Sequence, residues 1–298
     1  MKIALLSHSS RAFHGMSTTI NSINIRFVNR APVETTRIDQ FPDIESAVGY
    51  NGALTLWRVD TDNRNLTLLH CYRPEHKVQS AAIDGDEILV CSTDRIEILD
   101  ADFNLKRTIC HPLLAGTHTI RLDANRDIWV SVAPGNAALC FARDSGDLKA
   151  AIAMDPQHGT GPALSKSPDL RQHFVPTDHQ PTHVNSVVPL DGGSLLATLW
   201  IQGALSVRSA DGDWREIVTG FRGCHGGRPR LDGDGFYFTD SACGIVYFID
   251  SNGRIDHRVE INSRWLHDAE MIDERLMAVT AGDKNAFLLI DPLTGVVY

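Results

Sequence analysis

The chain consists of short runs in which apolar and polar residues alternate or apolar residues stand in aliphatic blocks, and each run breaks at Asp, Gly or Asn. Five segments align on this pattern. They are "EHKVQSAAIDGDEILVCS" from Glu75, "THTIRLDANRDIWVSV" from Thr117, "THVNSVVPLDGGSLLATL" from Thr182, "CHGGRPRLDGDGFYFTDS" from Cys224 and "LHDAEMIDERLMAVTA" from Leu266. Each reads as a histidine, a short strand, an Asp-containing turn and a second strand, which is the pattern of a β-hairpin. A third strand runs into a further turn in "EILDADFN", "CFARDSGD", "SVRSADGD", "YFIDSNGR" and "LLIDPLTG". The stretch "LWRVDTDNRN" at 56–65 is another copy of that turn. Stretches such as "RTIC", "AAIA", "REIV" and "HRVEI" supply a fourth strand.

The repeat has a fixed period. His76 and His118, His183 and His225, and His225 and His267 are each 42 residues apart. His118 and His183 are 65 apart, one period plus an insertion of 23, and His14 lies 62 residues before His76. Four strands at a period near 42 residues are the signature of propeller blades. The expected fold is therefore all-β, a six-bladed β-propeller of four strands per blade formed by residues 1–298 as one domain. After "LLIDPLTG" only "VVY" remains, so the N-terminal strand within 1–8, "KIALLS", is expected to complete the last blade and close the ring, which removes exposed sheet edges.

The strand–DG–strand–TD–strand–D-x-x-G order of "RPRLDGDGFYFTDSACGIVYFIDSNGRI" resembles the NHL and gluconolactonase-like six-bladed propellers and the streptogramin-lyase type. The resemblance covers most of the chain and implies a scaffold, while the chemistry has to come from the site. A calcium-dependent lactonase of the gluconolactonase kind needs Glu, Asn and Asp on the axis, where this chain offers histidines.

The first strand of each blade lines the channel of a propeller. A residue repeated at its entrance forms a ring, here His14, His76, His118, His183, His225 and His267. Several neutral imidazoles on one axis suit a borderline transition metal. The layout resembles that of carotenoid-cleaving oxygenases, which hold a non-haem iron on four axial histidines, although no stretch aligns with them. The ligand set expected first is His118, His183, His225 and His267, then His76, then His14, holding a divalent ion, Fe(II) foremost. Ligand positions left open would make such a metal catalytic. Repeat proteins also keep loop histidines as local braces, so a structural or solvated ring fits the same spacing. Cys224, beside His225, is a further candidate ligand.

The position three residues past each histidine differs from copy to copy: Ser17, Gln79, Arg121, Ser186, Arg228 and Glu270. That is expected of substrate contacts on a repeating frame. Arg121 and Arg228 suit an anionic substrate because guanidinium forks match carboxylate or phosphate, and Asn185 is a further polar contact. Glu270 and Asp268 are candidates for a base or for carboxylates that orient an imidazole. The Pro-, Gly- and Ser-rich insertion 156–180 carries His158, His173 and His179 and is a candidate lid over the same rim.

Composition changes little in this picture. The 298 residues are 43% apolar with a net charge of -9, and no basic cluster offers itself to nucleic acid or a membrane surface. No apolar run approaches the roughly 18 residues of a membrane span, and the start lacks the layout of a signal peptide. The six cysteines form no C-x-x-C pair and read as reduced, mostly buried thiols of a cytoplasmic protein. The function expected is a metal-dependent enzyme of a small, anionic molecule, an oxygenase first and a lyase or hydrolase next. The rival is a non-catalytic propeller that binds or scaffolds a protein partner.

Overall fold

The structure is a computed structural model that describes residues 2–11, 18–27, 53–60, 65–72, 78–154, 169–172, 179–284 and 286–298. Every hairpin of the repeat forms, and all strand pairs are antiparallel. The first sheet holds β1 (Lys2–Arg11), β2 (Thr18–Phe27), β3 (Ala53–Asp60) and β4 (Asn65–Tyr72) in the order β2-β1-β3-β4. The second holds β5 (Val78–Asp84), β6 (Glu87–Ser92), β7 (Arg95–Asp100) and β8 (Leu105–Cys110). The third holds β9 (Thr117–Leu122), β10 (Ile128–Val132), β11 (Ala137–Phe141) and β12 (Leu148–Ala153). The fourth holds β13 (Val184–Pro189), β14 (Leu195–Leu199), β15 (Ala204–Arg208) and β16 (Trp214–Val218). The fifth holds β17 (Cys224–Pro229), β18 (Phe236–Asp240), β19 (Ile245–Ile249) and β20 (Ile255–Glu260). The last holds β21 (Leu266–Asp273), β22 (Leu276–Ala281) and β23 (Ala286–Ile290).

This is a β-propeller, with two corrections to the sequence reading. Among the described residues five sheets, not six, are complete four-stranded blades, and the last sheet has three strands. Beside β23 the chain makes a single bridge, Ile290 to Val297, in place of a fourth strand. Nor does the N-terminal strand complete the last blade. Both edges of β1 are taken within its own sheet, by β2 on one side and β3 on the other, with Leu5 opposite Ile25 and Trp57. An apolar strand pairs with whatever edge is nearest, and β2 and β3 are nearer in sequence than β23.

Closure comes from face packing instead. The inner strands follow one another as β2, β5, β9, β13, β17 and β21, and β21 packs on β2 again. A separate apolar cluster fills each gap, for example Ile120, Val130 and Leu139 with Ile96 and Ile98 between the second and third sheets. Trp57 of the first sheet packs on Ile272, Leu276, Ala278 and Leu289 of the last, so the final gap is also sealed. Fully burying a side chain of this size contributes about 1.5–3 kcal/mol.

The recurrent Asp of the outer turns has a local cause. Asp250 Oδ1 accepts the backbone N–H of Asn252 and Arg254 at 2.8 and 2.9 Å, and Asp100 Oδ1 does the same for Asp102 and Asn104 at 2.9 and 2.8 Å. A short carboxylate that binds the backbone two and four residues on clamps the turn. Leu170, inside the insertion, is buried in the cluster between the second and third sheets, and its N–H donates to the Pro112 carbonyl. The rest of the lid expected at 156–180 lies outside the described residues, apart from Asp169–Gln172 and His179–Gln180. No helix among the described residues is long and apolar enough to cross a membrane.

Candidate functional site: an axial cavity

The five inner strands β5, β9, β13, β17 and β21 share a feature that spacing alone does not show. Each has a break in register near its start: at Gln79 in β5, at His118–Thr119 in β9, at Asn185 in β13, at Gly226–Gly227 in β17 and at His267 in β21. A β-bulge re-aims the side chain of the extra residue and commonly sits beside functional sites. Because the break falls at a different offset in each strand, histidines that are evenly spaced in sequence are not equivalent in space. The bulges surround one cavity of about 70 Å³ lined by Gln79, His118, Thr119, Arg121, Asn185, Ser186, Gly226, Gly227, Arg228, His267 and Asp268.

The positions three residues past the histidines do meet there. Gln79, Arg121, Ser186 and Arg228 line the cavity, and Glu270 joins them through ion pairs. Arg228 is buried and heavily committed. Its Nη1 and Nη2 lie 2.5 and 2.9 Å from Asp268 Oδ1 and Oδ2, and its Nε lies 2.5 Å from Glu270 Oε2. Nη1 also donates to the Gly226 and Ala269 carbonyls at 3.0 and 2.5 Å. Burial works against the Arg228 charge, but Asp268 and Glu270 outweigh it and hold the guanidinium well above its usual range. For Glu270 burial wins and pushes the carboxyl up, against the pull of Arg228 and Arg121. Gly226 makes room for this network. At its φ of +57 a Cβ would come within 2.2 Å of Asp268 Oδ1, so only glycine fits.

Arg121 is less committed. Its Nη1 donates to its neighbour's carbonyl, that of Ile120, at 2.9 Å, and its Nη2 stands 3.9 Å from Glu270. It therefore has N–H groups to offer to an anion in the cavity, and the Asn185 side-chain amide makes no hydrogen bond to any described residue. Burial, and after it Arg228, lowers the Arg121 pKa without discharging a guanidinium.

The histidines pair rather than converge. His118 meets His183 and His225 meets His267, each with ring centroids 4.7 Å apart. One member of each pair faces the cavity, His118 or His267, and the other is buried behind it. His183 Nδ1 lies 2.5 Å from Gln180 Oε1, and the ring rests edge-on against Trp200. Its backbone holds a φ of +48, which residues with a Cβ seldom adopt. His225 Nδ1 donates to the Gly223 carbonyl at 2.9 Å with the Ser241 hydroxyl at 2.6 Å, and its ring meets Trp265. These contacts place the proton on Nδ1 in both buried rings. Burial, and then the neighbouring His267, pushes His183 down to about 4 and His225 well below its usual range.

Stability should follow from this. A histidine near 6.5 in the unfolded chain and about 4 in the fold favours unfolding once the pH drops below 6.5, and the effect levels off below about 4. His183→Gln is expected to make the loss of unfolding free energy between pH 7 and pH 5 smaller by about 2 kcal/mol. Urea titrations of both chains at the two pH values measure it, and an unchanged difference would count against the buried neutral imidazole.

The sequence reading placed four to six histidines on one metal. Among the described residues, the one group of three metal-capable side chains with ligand atoms within 4.8 Å of one another is Asp123, Asp127 and Cys140, and no ring histidine belongs to it. Among the described residues the rings meet in pairs, and no three of them bring ligand atoms within 4.8 Å of one another. His14 and His76 lie outside the described residues. Cys224 is buried in the apolar cluster between the fourth and fifth sheets, where burial pushes its thiol up. Gln180, Ser241, Trp200 and Trp265 went unread because their sequence context gives no sign that they fix an imidazole. The adjacent glycines of "CHGGRP" were the one local hint of close approach.

No protein-family model and no curated protein sequence matches the chain. Among solved structures it is similar to virginiamycin B lyase of Staphylococcus aureus, at 16% identity and a TM-score of 0.55, over 84% of this chain and 81% of that one. A catalytically inactive variant of the same lyase, with one histidine replaced by alanine and with quinupristin, matches at 15% identity and a TM-score of 0.55, over 84% of this chain and 81% of that one. A Bacteroides caccae protein of unknown function matches at 11% identity and a TM-score of 0.59, over 80% of this chain and 86% of that one. At these identities the likeness shows the propeller fold.

Proposed function

We propose that the chain is a lyase that removes a proton next to a carboxylate or carbonyl group of a small anionic molecule held in the axial cavity. The observation that carries this reading is that His118, His267 and the under-committed Arg121 line one cavity. Arg121, with the Asn185 amide, holds the anionic end and stabilises the charge that develops as the C–H bond breaks. His267 takes the proton, and His118, in the lining of the same cavity, protonates the leaving group. The electron pair of the C–H bond becomes the new double bond while the bond from the neighbouring carbon to the leaving group breaks. The pair from that bond departs with the leaving group, which takes the proton from His118. Asp268 and Glu270, candidates for a base or for carboxylates that orient an imidazole, are tied to Arg228, so in this reading the base is an imidazole.

A lyase of the same fold that loses catalysis when a single histidine is replaced supports this class of chemistry. Fe(II) at the axis, and the oxygenase reading that goes with it, has less behind it, because among the described residues no three histidines bring ligand atoms within 4.8 Å of one another. The test is a panel of small β-substituted carboxylates followed by ultraviolet absorbance of the unsaturated product. Turnover that persists with chelator and without oxygen supports the proposal, with Arg121→Gln raising KM at least tenfold. Turnover that needs Fe(II) and oxygen would replace it by the oxygenase reading.

A further inference from the structure

Away from the axis, the third sheet brings Asp123, Asp127 and Cys140 together. Asp123 and Asp127 bound the turn between β9 and β10, and Cys140 stands on β11 opposite Trp129 of β10. One ligand atom from each of the three lies within 4.8 Å of the other two. None of these residues borders the axial cavity.

The carboxylates are held in different ways. Asp123 Oδ1 accepts the backbone N–H of Asn125 and Asp127, each at 2.9 Å, which clamps the turn. Its Oδ2 accepts the Trp129 indole N–H at 3.1 Å, a bond that the turn does not need. Donors that fix a carboxylate from behind are the usual support of a metal ligand. Asp127 is buried, and its Oδ2 pairs with the half-exposed Lys149. Its Oδ1 accepts no hydrogen bond from any described residue. Cys140 is what an ordinary acidic turn lacks. Buried free cysteines behave as small apolar groups, and Cys91 and Cys224 do so inside apolar clusters. Cys140 is 4% exposed but belongs to none of those clusters, and its thiol makes no hydrogen bond to any described residue. Its sulfur faces charged oxygens instead.

We propose that Asp123, Asp127 and Cys140 form a site, separate from the axial cavity, for a divalent thiophilic cation such as zinc. One sulfur and two carboxylate oxygens are three corners of a tetrahedron, and water takes the fourth. Ligand atoms around such an ion stand roughly 3.5 Å apart, so only a small inward movement of the side chains closes the shell. The sulfur sets the preference, because magnesium and calcium take oxygen ligands. Burial and the two carboxylates keep the thiol protonated without an ion, so binding releases that proton. The thiolate and the two carboxylates then balance the ion together with the Lys149 ammonium. Asp123 and Lys149 lie at the surface and give the ion a route in from solvent. A bound ion staples the β9–β10 turn to β11.

The test is a titration with Zn²⁺ of the intact, untagged chain, ¹⁵N-labelled at its five tryptophans. The reporter is the Trp129 indole N–H, which donates to Asp123, and a Trp129→Phe chain assigns its signal. That signal is expected to shift and to saturate at micromolar Zn²⁺, and to stay in place with millimolar Mg²⁺. Cys140→Ser should weaken zinc binding about tenfold or more, and Asp127→Asn should do the same. Unchanged far-ultraviolet circular dichroism checks the fold of both variants. A Trp129 signal still in place at millimolar Zn²⁺, or one that responds equally to Mg²⁺, would overturn the proposal on the wild-type chain alone. So would an unchanged zinc affinity in Cys140→Ser.

Discussion

Arg228→Met is expected to destabilise the fold by about 3–5 kcal/mol, as removal of one partner of a buried ion pair does. The side chain is 6% exposed and faces two carboxylates, which the substitution leaves without their nearest counter-charge. The pH dependence separates this from a simple packing loss. Burial already holds the Glu270 carboxyl above its usual range, and losing the opposing pull of Arg228 raises it further. An acid whose pKa is higher in the fold than in the unfolded chain opposes folding while it is charged. The opposition is greatest near neutral pH, falls as the pH drops through the folded-state pKa, and is gone below the unfolded value. The deficit of the variant should therefore shrink towards acid, and adding Asp268→Asn and Glu270→Gln should recover part of it at pH 7. Denaturant titrations at pH 5 and pH 7 measure both effects. A deficit that does not change with pH would mean that Arg228 serves by its shape alone.

The second large effect is on the reaction. His267→Gln is expected to lower kcat/KM by about 10²–10⁴, the range for loss of a general base, with little change in stability because the ring lies on the cavity wall. His225→Gln should act differently. That residue is buried beside His267, holds its proton on Nδ1 and is not among the residues that line the axial cavity. Its replacement should shift the pH dependence of kcat through His267 and leave KM near the wild-type value. Steady-state kinetics from pH 5 to pH 9 on both variants separate a base from a residue that positions it.

Much of this was legible in the sequence. The 42-residue spacing marks the inner strands, and five of the positions three past a histidine, Gln79, Arg121, Ser186, Arg228 and Glu270, reach the axial cavity or its ion network, while Ser17 lies outside the described residues. That succeeds because a strand alternates faces with a fixed period, so a residue three positions on keeps its place from one blade to the next. The spacing failed where backbone geometry intervenes. His118, His183, His225 and His267 share a period, but bulges at different offsets turn two of them into the protein and two toward the cavity. No property of a histidine or its neighbours reports a bulge, although Gly226 and Gly227 mark one. Arg228 and Arg121 looked alike as anion clamps. Which of them is free depends on Asp268 and Glu270, some 40 residues away on the adjoining sheet, a contact that no local pattern carries.

The most direct measurement of the central claim is proton exchange at carbon. Small carboxylates that lack a leaving group are incubated with the chain in D₂O, and the α-proton signal is followed by ¹H NMR. Loss of that signal with the wild-type chain, in the presence of chelator and abolished by His267→Gln, is the predicted result. Exchange that survives His267→Gln, or that appears only on addition of Fe(II), would contradict an axial imidazole acting as the base.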